Sequence, residues 1–346
     1  MSTGRPAQPP VDLSGLLRPR SVAVIGASTR RGTIGAEIFR NLLVNGFQGP
    51  VYPVNLKADV VQSVKAYPSI GDIPGPVDLA VVVVPAPAVV ATVEACAAKG
   101  VRGVVVISAG FKEVNEEGAA REARLREIVR SHGMRLVGPN CLGILSTAPG
   151  IRLDATFAPT YPPEGNVAIA SQSGALGVAI LDYTRSFNIG VSEFVSMGNK
   201  TDVSSNDLVQ WWDADPRTKV MLLYLESFGN PRKFLRLARE ITMRKPIVAV
   251  KSGRTRRGMT AASSHTGALA GADVAVDAIF AQTGVIRVDT VEELFDMAAF
   301  LAYQPMPRGS RVAILTNAGG AGISATDACV AQGLEVPDLA EATTAR

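Results

Sequence analysis

Hydrophobic positions along the chain fall into short β-branched runs separated by longer segments in which apolar residues recur at helical spacing. SVAVIG (21–26) leads into an amphipathic segment near 33–45, PVYPVN (50–55) into a turn-rich crossover, and DLAVVVV (78–84) into a helix near 87–100. GVVVIS (103–108) then leads into a helix near 116–131, and RLVG (135–138) ends the series. Alternation of strand and helix predicts a parallel sheet with crossover helices. DLAVVVV and GVVVIS are apolar without alternation, as strands covered by helices on both faces require. The turn residues Pro159, Pro162, Pro163 and Gly165 interrupt the rhythm, which restarts at NVAIAS (166–171) and continues through KVMLLYLES, PIVAVKSG and VIRV. A third restart at RVAILTNAGG (311–320) is followed by one helix and a stub. So small a fragment cannot enclose a core, and it is expected to borrow packing from a partner or from further chain. The pattern predicts an α/β protein of parallel sheets: a flexible leader at 1–15, a doubly wound domain at 16–148, a second parallel domain at 149–305 and the first βα unit of an incomplete third at 306–346.

Composition narrows the partners. Apolar residues make up 47% of the 346 positions and charged residues 19%, which excludes intrinsic disorder. The net charge of +4 is small and dispersed, so nucleic acid is not expected as a partner. The longest apolar stretch, Val77 to Val90, contains Asp78, Pro85 and Pro87 and falls short of the roughly 20 residues a span requires, so no membrane partner is expected. The opening MSTGRPAQPPVDLSG has neither a basic n-region nor an apolar h-region, and a cytoplasmic location is expected. Cys96, Cys141 and Cys329 are odd in number and far apart, which fits neither a disulfide framework nor zinc spacing. Reduced thiols and no metal site are expected.

Two Gly-rich turns carry candidate chemistry. The first, VIGASTRRGTIG, places Gly26, Gly32 and Gly35 between strand and helix, where backbone N–H groups could approach a phosphate. Its spacing is not G-x-G-x-x-G, because Ser28 and Arg31 stand where the second and third glycines would be, and the second strand ends in Asn55 and Lys57 rather than in an acid. A cation there suits an adenosine ligand with an extra phosphate, either coenzyme A or NADP; a tight turn that only packs helix on strand is the alternative. The second turn, AIASQSGALG, sets Ser171, Gln172, Ser173 and Gly174 before a helix. It could hold an anion, or Ser173 could serve only as an N-cap. Ser171 stands where a nucleophile elbow would need glycine, so a hydrolase is not indicated.

The chain has two histidines. His132 precedes a glycine at a helix end and reads as a capping or surface residue. His265 lies in AASSHTGALAGAD, among small polar neighbours that leave the ring accessible. A neutral imidazole there is a candidate nucleophile, and it attacks best when a carboxylate holds its other N–H. Glu226, ending the run KVMLLYLE, is a candidate for that carboxylate, since strand ends of an open parallel sheet point into the ligand crevice; a solvated strand-end charge is the alternative.

Taken in order, LLRPRSVAVIGAS, VVVVPAP, VISAGFKE, GPNCLGI, ASQSGALG, SMGNKTDVSSNDLV, LLYLES, KPIVAVKSGR, SSHTGALAG, GVIRVDTVEELFD and TNAGGAG resemble the NDP-forming acyl-CoA synthetases, the superfamily that includes ADP-forming acetate–CoA ligase and the succinyl-CoA synthetase α subunit. The resemblance implies a Rossmann-like CoA-binding domain followed by flavodoxin-like ligase domains. Gly26, Ala27, Ser28, Gly35, Asn55, Lys57, Val84, Pro85, Ser108, Ala109, Asn140 and Cys141 would line the CoA site, with Cys141 a neighbour of the CoA thiol rather than a nucleophile. His265 matches the phosphorylated histidine, Glu226 its supporting carboxylate, and Ser171, Gln172, Ser173 and Gly174 the helix N-terminus that receives the phosphoryl group. The implied enzyme is an acid–thiol ligase: acyl-CoA, phosphate and ADP are exchanged for carboxylate, CoA and ATP through an acyl phosphate and phospho-His265. No ATP-grasp region is evident, so a separate ATP-grasp subunit or domain is expected as partner, holding ADP or ATP with Mg. Small-molecule acyl-CoA or carboxylate is the expected substrate, and assembly into an oligomer is expected. A regulatory, acyl-CoA-sensing module of a protein acetyltransferase is the alternative within the same superfamily. An NADP-dependent oxidoreductase would rest on the first domain alone.

Overall fold

The β-branched runs pair into two sheets whose strands wind in the same order. The computed structural model describes residues 11–253, 273–305 and 307–344. After a short helix α1 (Ser14–Leu17) come β1 (Val22–Ile25), α2 (Ile34–Val44), β2 (Val51–Val54), a small antiparallel hairpin of β3 (Val60–Val61) and β4 (Val64–Lys65), β5 (Leu79–Val82), α3 (Ala86–Ala98), β6 (Gly103–Val106), α4 (Glu116–Ser131) and β7 (Arg135–Val137). The first sheet is parallel throughout, in the order β2-β1-β5-β6-β7. Winding therefore reverses between β1 and β5, the position at which doubly wound sheets open a crevice at their carboxyl ends.

The second sheet is built from β8 (Gly143–Ser146), β9 (Leu153–Thr156), β10 (Glu164–Ser171), β11 (Val191–Ser196), β12 (Val220–Leu225), β13 (Ile247–Lys251) and β14 (Ile286–Val288), ordered β14-β13-β12-β10-β11-β8-β9. Its five later strands are parallel and repeat the winding of the first sheet, with the reversal between β10 and β12. The antiparallel pair β8 and β9 extends one edge. Helices α5 (Gly174–Ser186), α6 (Ser205–Ala214), α7 (Pro231–Ile241), α8 (Asp273–Thr283) and α9 (Val291–Tyr303) complete this half. The chain changes sheets over residues 138–142, ahead of the break at 148 drawn from the turn residues. Proline and glycine mark where the backbone bends and carry no information about which sheet edge a strand joins.

Period-two alternation explains how the halves fuse. On β1, Val22 and Val24 face a central cluster while Ala23 and Ile25 face the opposite side of the first sheet. On β10, Ala168 and Ala170 enter that same central cluster, and Val167 and Ile169 face the far side of the second sheet. One apolar layer is thus shared by both sheets, and burial at about 25 cal/mol per Å² of apolar area makes it a strong fastening. Polar clasps set its register. Asn41 of α2 donates to the carbonyls of Thr156 (2.9 Å) and Ala158 (2.8 Å), and Asn45 donates to Asp154 at 2.8 Å.

Residues 303–346 form a second compact unit. It contains α10 (Gly319–Ala331) and α11 (Glu341–Thr344), with a single parallel bridge between Arg311 and Glu335. The apolar run RVAILTN, read from sequence as a strand, makes only that bridge among the described residues, and Leu315, Ile323 and Val330 are exposed. Among the described residues no helix is long and apolar enough to cross a membrane.

A buried carboxylate in the second sheet gives the fold a pH dependence. Glu193 of β11 is fully buried, and its Oε2 accepts from the indole N–H groups of Trp211 (3.0 Å) and Trp212 (2.9 Å). Arg18 lies 3.8 Å from its other oxygen but is paired more closely, at 3.1 Å, with Asp215. Burial, only partly offset by the Trp212 donor, pushes the Glu193 carboxyl up to about 7; nearby Asp215 adds to the rise. Asp154 is raised to about 7 by burial in the same way. A carboxyl raised on folding contributes stability that is complete below the ordinary glutamate range and lost as pH rises through about 7. Glu193→Gln, which keeps an acceptor for both indoles and cannot ionise, is expected to have a higher Tm than the parent at about pH 8 and a shallower fall in Tm from about pH 5 to 8. Thermal melts across that range check it, and an unchanged slope counts against it.

Candidate functional site

Because both sheets place the carboxyl ends of their central strands toward one space, a single cleft of about 710 Å³ opens between the two switch points. The first sheet supplies Val84 and Pro85 beyond β5, Ser108 and Ala109 beyond β6, and Asn140 and Cys141 beyond β7. The second supplies Gln172, Ser173 and Gly174 beyond β10, Gly198 and Asn199 beyond β11, and Glu226 beyond β12. Ile34, Phe157 and Val178 add apolar wall. Ser108 donates to the Val84 carbonyl at 2.5 Å, and Asn140 N–H donates to the Ser108 carbonyl at 3.0 Å, so the three segments from the first sheet are tied in series.

Of the first Gly-rich turn only Ile34 lines this cleft. An added Cβ on Gly35 would stand 2.1 Å from the Gly26 carbonyl oxygen, and Gly26 holds a left-handed φ of +95°. These glycines let α2 start directly against the end of β1, which is the close packing expected of such turns. Ala27 is buried, and Asn55 is occupied with it: the Asn55 amide donates to the Ala27 carbonyl at 2.7 Å while its oxygen accepts from the N–H groups of Lys57 and Ala58. Ser28 accepts from Arg30 N–H at 3.1 Å, and Lys57 is exposed. A separate depression of about 640 Å³ adjoins this turn and is lined by Arg31, Arg40 and Gln62 among others.

The second Gly-rich turn shows the capping role foreseen for it and also faces the cleft. Ser173 caps α5, its hydroxyl accepting from Leu176 N–H at 3.4 Å, and it also lines the cleft with Gly174 and Ala175 at the helix N-terminus. Such a terminus favours an anion. Ser171, in contrast, is fully buried and its hydroxyl donates to the Ser173 carbonyl at 2.7 Å, so it braces the turn without lining the cleft. Gln172 is also a brace. Its Oε1 accepts from Glu226 N–H, Ser227 N–H and Lys200 Nζ, each at 3.0 Å, and its amide donates to Ser227 Oγ at 3.2 Å. His265 lies in 254–272, outside the described residues.

Four residues not singled out from the sequence complete the arrangement. Lys112 donates to the Asn199 carbonyl at 2.6 Å, and Lys200 donates to Ser227 as well as to Gln172. Burial foremost, with the nearby Lys112 charge, pulls the Lys200 ammonium down to about 8 against the opposing influence of Glu226. The available signal was GNK (198–200) directly after an apolar strand that neighbours a switch point.

Two family matches divide the chain: residues 20–147, the first sheet together with β8, match the CoA binding domain, and residues 164–301, which hold the parallel strands of the second sheet, match the succinyl-CoA ligase like flavodoxin domain. The α subunit of ADP-forming acetate–CoA ligase I from Pyrococcus furiosus is 44% identical over 335 residues, covering 96% of this chain and 72% of that subunit. The chain belongs to the NDP-forming acyl-CoA synthetases. Another member, the ADP-forming 4-hydroxybutyrate–CoA ligase of Nitrosopumilus maritimus, is 43% identical over 94% of this chain, which spans 47% of that enzyme. Among solved synthetase structures, the dinucleotide-forming acetyl-coenzyme A synthetase 1 of Ca. Korarchaeum cryptofilum, in complex with phosphate and ADP, superposes with a TM-score of 0.91 at 44% identity, covering 95% of this chain and 71% of that one. The fold is that of the synthetases, and relatives matched over nearly the whole chain are named ligases, so the acetyltransferase-module alternative is not favoured.

The cleft cysteine follows its surroundings. Cys141 is 5% exposed, its thiol donates to the Val106 carbonyl at 3.3 Å, and burial pushes the thiol up to about 12. A thiol held protonated is a poor nucleophile. Alkylation of the native protein near neutral pH is expected to modify the part-exposed Cys329 at least about tenfold faster than Cys141 or the equally buried Cys96. Mass spectrometry of the tryptic peptides reads this, and rapid labelling of Cys141 would mark it as reactive after all.

Proposed function

We propose that this chain is the CoA-binding, α-type part of an NDP-forming acyl-CoA ligase, exchanging acyl-CoA and phosphate for CoA and a carboxylate by way of an acyl phosphate and phospho-His265. The observation that carries the proposal is the shared cleft: segments expected along a CoA site, Val84–Pro85, Ser108–Ala109 and Asn140–Cys141, face the α5 N-terminus and Glu226 across one space. A phosphate oxygen attacks the thioester carbonyl, the C–S bond breaks and CoA leaves as the thiol. The N–H groups at Gly174 and Ala175, with the α5 dipole, offset the charge of the phosphoryl group as the acyl phosphate forms. His265 then attacks phosphorus, the carboxylate departs, and Glu226 holds the second imidazole N–H and stabilises the cation. Splitting the transfer in this way lets each half proceed at its own barrier.

The phosphoryl group next passes to ADP on an ATP-grasp partner, either a subunit or a further domain, which would also hold Mg. The chain spans 72% of one relative's length and 47% of another's, in keeping with such a division. Residues 306–346 fit the first βα unit of a third domain completed by other chain, given the apolar side chains they leave exposed. Gly26 to Ser28, Gly35, Asn55 and Lys57 take the adenosine end of CoA in this scheme, with Lys57 answering the 3′-phosphate.

Two measurements test the proposal. Calorimetric titration is expected to give CoA binding that weakens about tenfold for dephospho-CoA and for Lys57→Ala, with NAD and NADP much weaker. Incubation with acyl-CoA and labelled phosphate is expected to leave acid-labile label on the chain, absent from His265→Ala and reduced about tenfold or more in Glu226→Gln. Label that persists in His265→Ala sinks the phosphohistidine route.

A further inference from the structure

We infer that Lys200 is a positioning residue for the anion end of the cleft: it locks the α5 turn through Gln172, sets a positive charge behind it, and does so only while the first domain is docked. The inference rests on the function proposed above and adds a residue and a coupling to it.

The contacts of Lys200 define this role. Its backbone takes a left-handed φ of +57°, which is uncommon for a long side chain and indicates a conformation imposed by its surroundings. Its Nζ donates to Gln172 Oε1 at 3.0 Å, to the Ser227 carbonyl at 2.6 Å and to Ser227 Oγ at 2.8 Å. Three acceptors use all three ammonium protons, so Lys200 acts on a bound anion by its field and by the groups it holds, not by direct contact. Gln172 Oε1 accepts two further backbone N–H groups, from Glu226 and Ser227. One carbonyl oxygen thereby joins the start of the α5 turn to the end of β12, where Glu226 stands. Loss of the ammonium would leave that oxygen and Ser227 one donor short in a buried setting.

The loop that carries Lys200 belongs to the second sheet but is held by the first domain. Asn199 N–H donates to the Pro139 carbonyl at 2.9 Å, Lys112 to the Asn199 carbonyl at 2.6 Å, and the Asn199 amide to Glu113 and Glu122 at 2.6 and 2.9 Å. Arg126 donates to the Thr201 carbonyl at 2.9 Å and Arg135 to Asp202 at 2.8 Å. Docking of the domain that faces CoA is therefore what presents Lys200 to the turn that faces phosphate.

Lys112 from the first domain and Glu226 and Lys251 from the ends of β12 and β13 act on Lys200, while Glu113 and Glu122 are tied to Asn199. Burial first, with the two lysines, brings the ammonium down to about 8, so its charge fades within an accessible pH range. Below that pH the anion site is complete, and above it affinity for an anion falls. Lys251 is also lowered, chiefly by burial, so the profile must be assigned by substitution.

Equilibrium dialysis of the whole chain against labelled sulfate, a tetrahedral anion of constant charge in this range, reads the effect, with calorimetric CoA titration in parallel. Wild-type affinity for sulfate is expected to fall at least about fivefold between about pH 7 and 9.5. Lys200→Arg is expected to keep the neutral-pH affinity and lose the pH dependence, and Lys200→Met to bind about fivefold or more weakly than wild type near pH 7 and to approach it near pH 9.5, with CoA affinity within about twofold of wild type in both. A wild-type profile retained in Lys200→Arg, or wild-type sulfate affinity in Lys200→Met near neutral pH, overturns the role of Lys200 and leaves the ligase proposal standing. If the Met variant does not fold, the wild-type profile and the Arg variant decide alone. A chain that binds CoA but no sulfate at any pH overturns both Lys200 and the α5 anion site, and one that binds neither overturns the functional proposal itself.

Discussion

Two backbone turns, one from each half of the molecule, meet without any side chain between them, and the cleft exists because of that contact. Gly198 packs so closely on the 138–141 turn that an added Cβ would stand 2.2 Å from the Pro139 carbonyl oxygen and 2.5 Å from that of Asn140. Asn199 N–H and Thr201 N–H donate to the carbonyls of Pro139 and Gly138 at 2.9 and 3.2 Å, so the turns are joined as two strands of a ladder would be. Backbone hydrogen bonds of this kind fix distance and angle together, because neither partner has a rotamer to change. With the turns fixed, the carboxyl ends of β5, β6 and β7 have to face those of β10, β11 and β12, and a parallel sheet has no other place to present a ligand.

Charge in the cleft follows from which groups burial allows to remain ionised. Lys112 and Lys200 line a smaller recess that shares Gln172, Gly198 and Asn199 with the cleft, and the α5 N-terminus adds partial positive charge, while Glu226 lines the cleft itself. Glu113 shows the opposite balance: burial would raise it, but donors from Asn199 and from the Gly110 and Phe111 N–H groups outweigh that and keep it ionised more firmly than usual. Burial keeps the thiol of Cys141 neutral. A site with this distribution suits a multiply charged phosphoryl group next to a neutral thioester, which is the combination that acyl transfer to phosphate brings together.

Much of this was legible in the sequence, and the part that was not has a common cause. Both sheets could be read from β-branched runs because strand and helix each leave a periodic trace within a few residues. Glu226 could be read because it ends an apolar strand, which has a fixed destination in a parallel sheet, and Ser173 because it stands between strand and helix, whereas Val84, Ser108 and Asn140 were legible only through the family resemblance. Gly26, Gly35 and Asn55 look the same in sequence whether they touch a ligand or pack a helix, and here their nearest partners are the chain's own carbonyls. Gln172 and Ser171 show the same ambiguity within one motif of four residues, bracing the turn that Ser173 and Gly174 present. Beyond the position of GNK after a strand, the role of Lys200 was not legible, because it depends on contacts between residues far apart in the chain, from Lys112 to Ser227, which no local pattern records. Strand β8 left no reading of its own for the same reason, since pairing with β11 is a tertiary fact.

The strained positions tie these threads together. Asn140 and Lys200 both hold left-handed backbone without being glycine, and they sit on the two turns that dock against each other. Each such residue costs about 1–3 kcal/mol and persists only where its surroundings determine it several times over. Here they do: Asn140 N–H is held by Ser108 and the Lys200 side chain by Gln172 and Ser227, each within its own half, while Asn199 N–H and Thr201 N–H donate across the interface to the Pro139 and Gly138 carbonyls and brace the two strained turns against each other. An assembly in which the CoA-facing half loosened would release the Asn199 contacts first and let the Lys200 turn relax. The two halves of the proposed reaction are therefore linked by the geometry of one interface, and a change that opens it should disturb the anion end of the cleft before it disturbs either sheet.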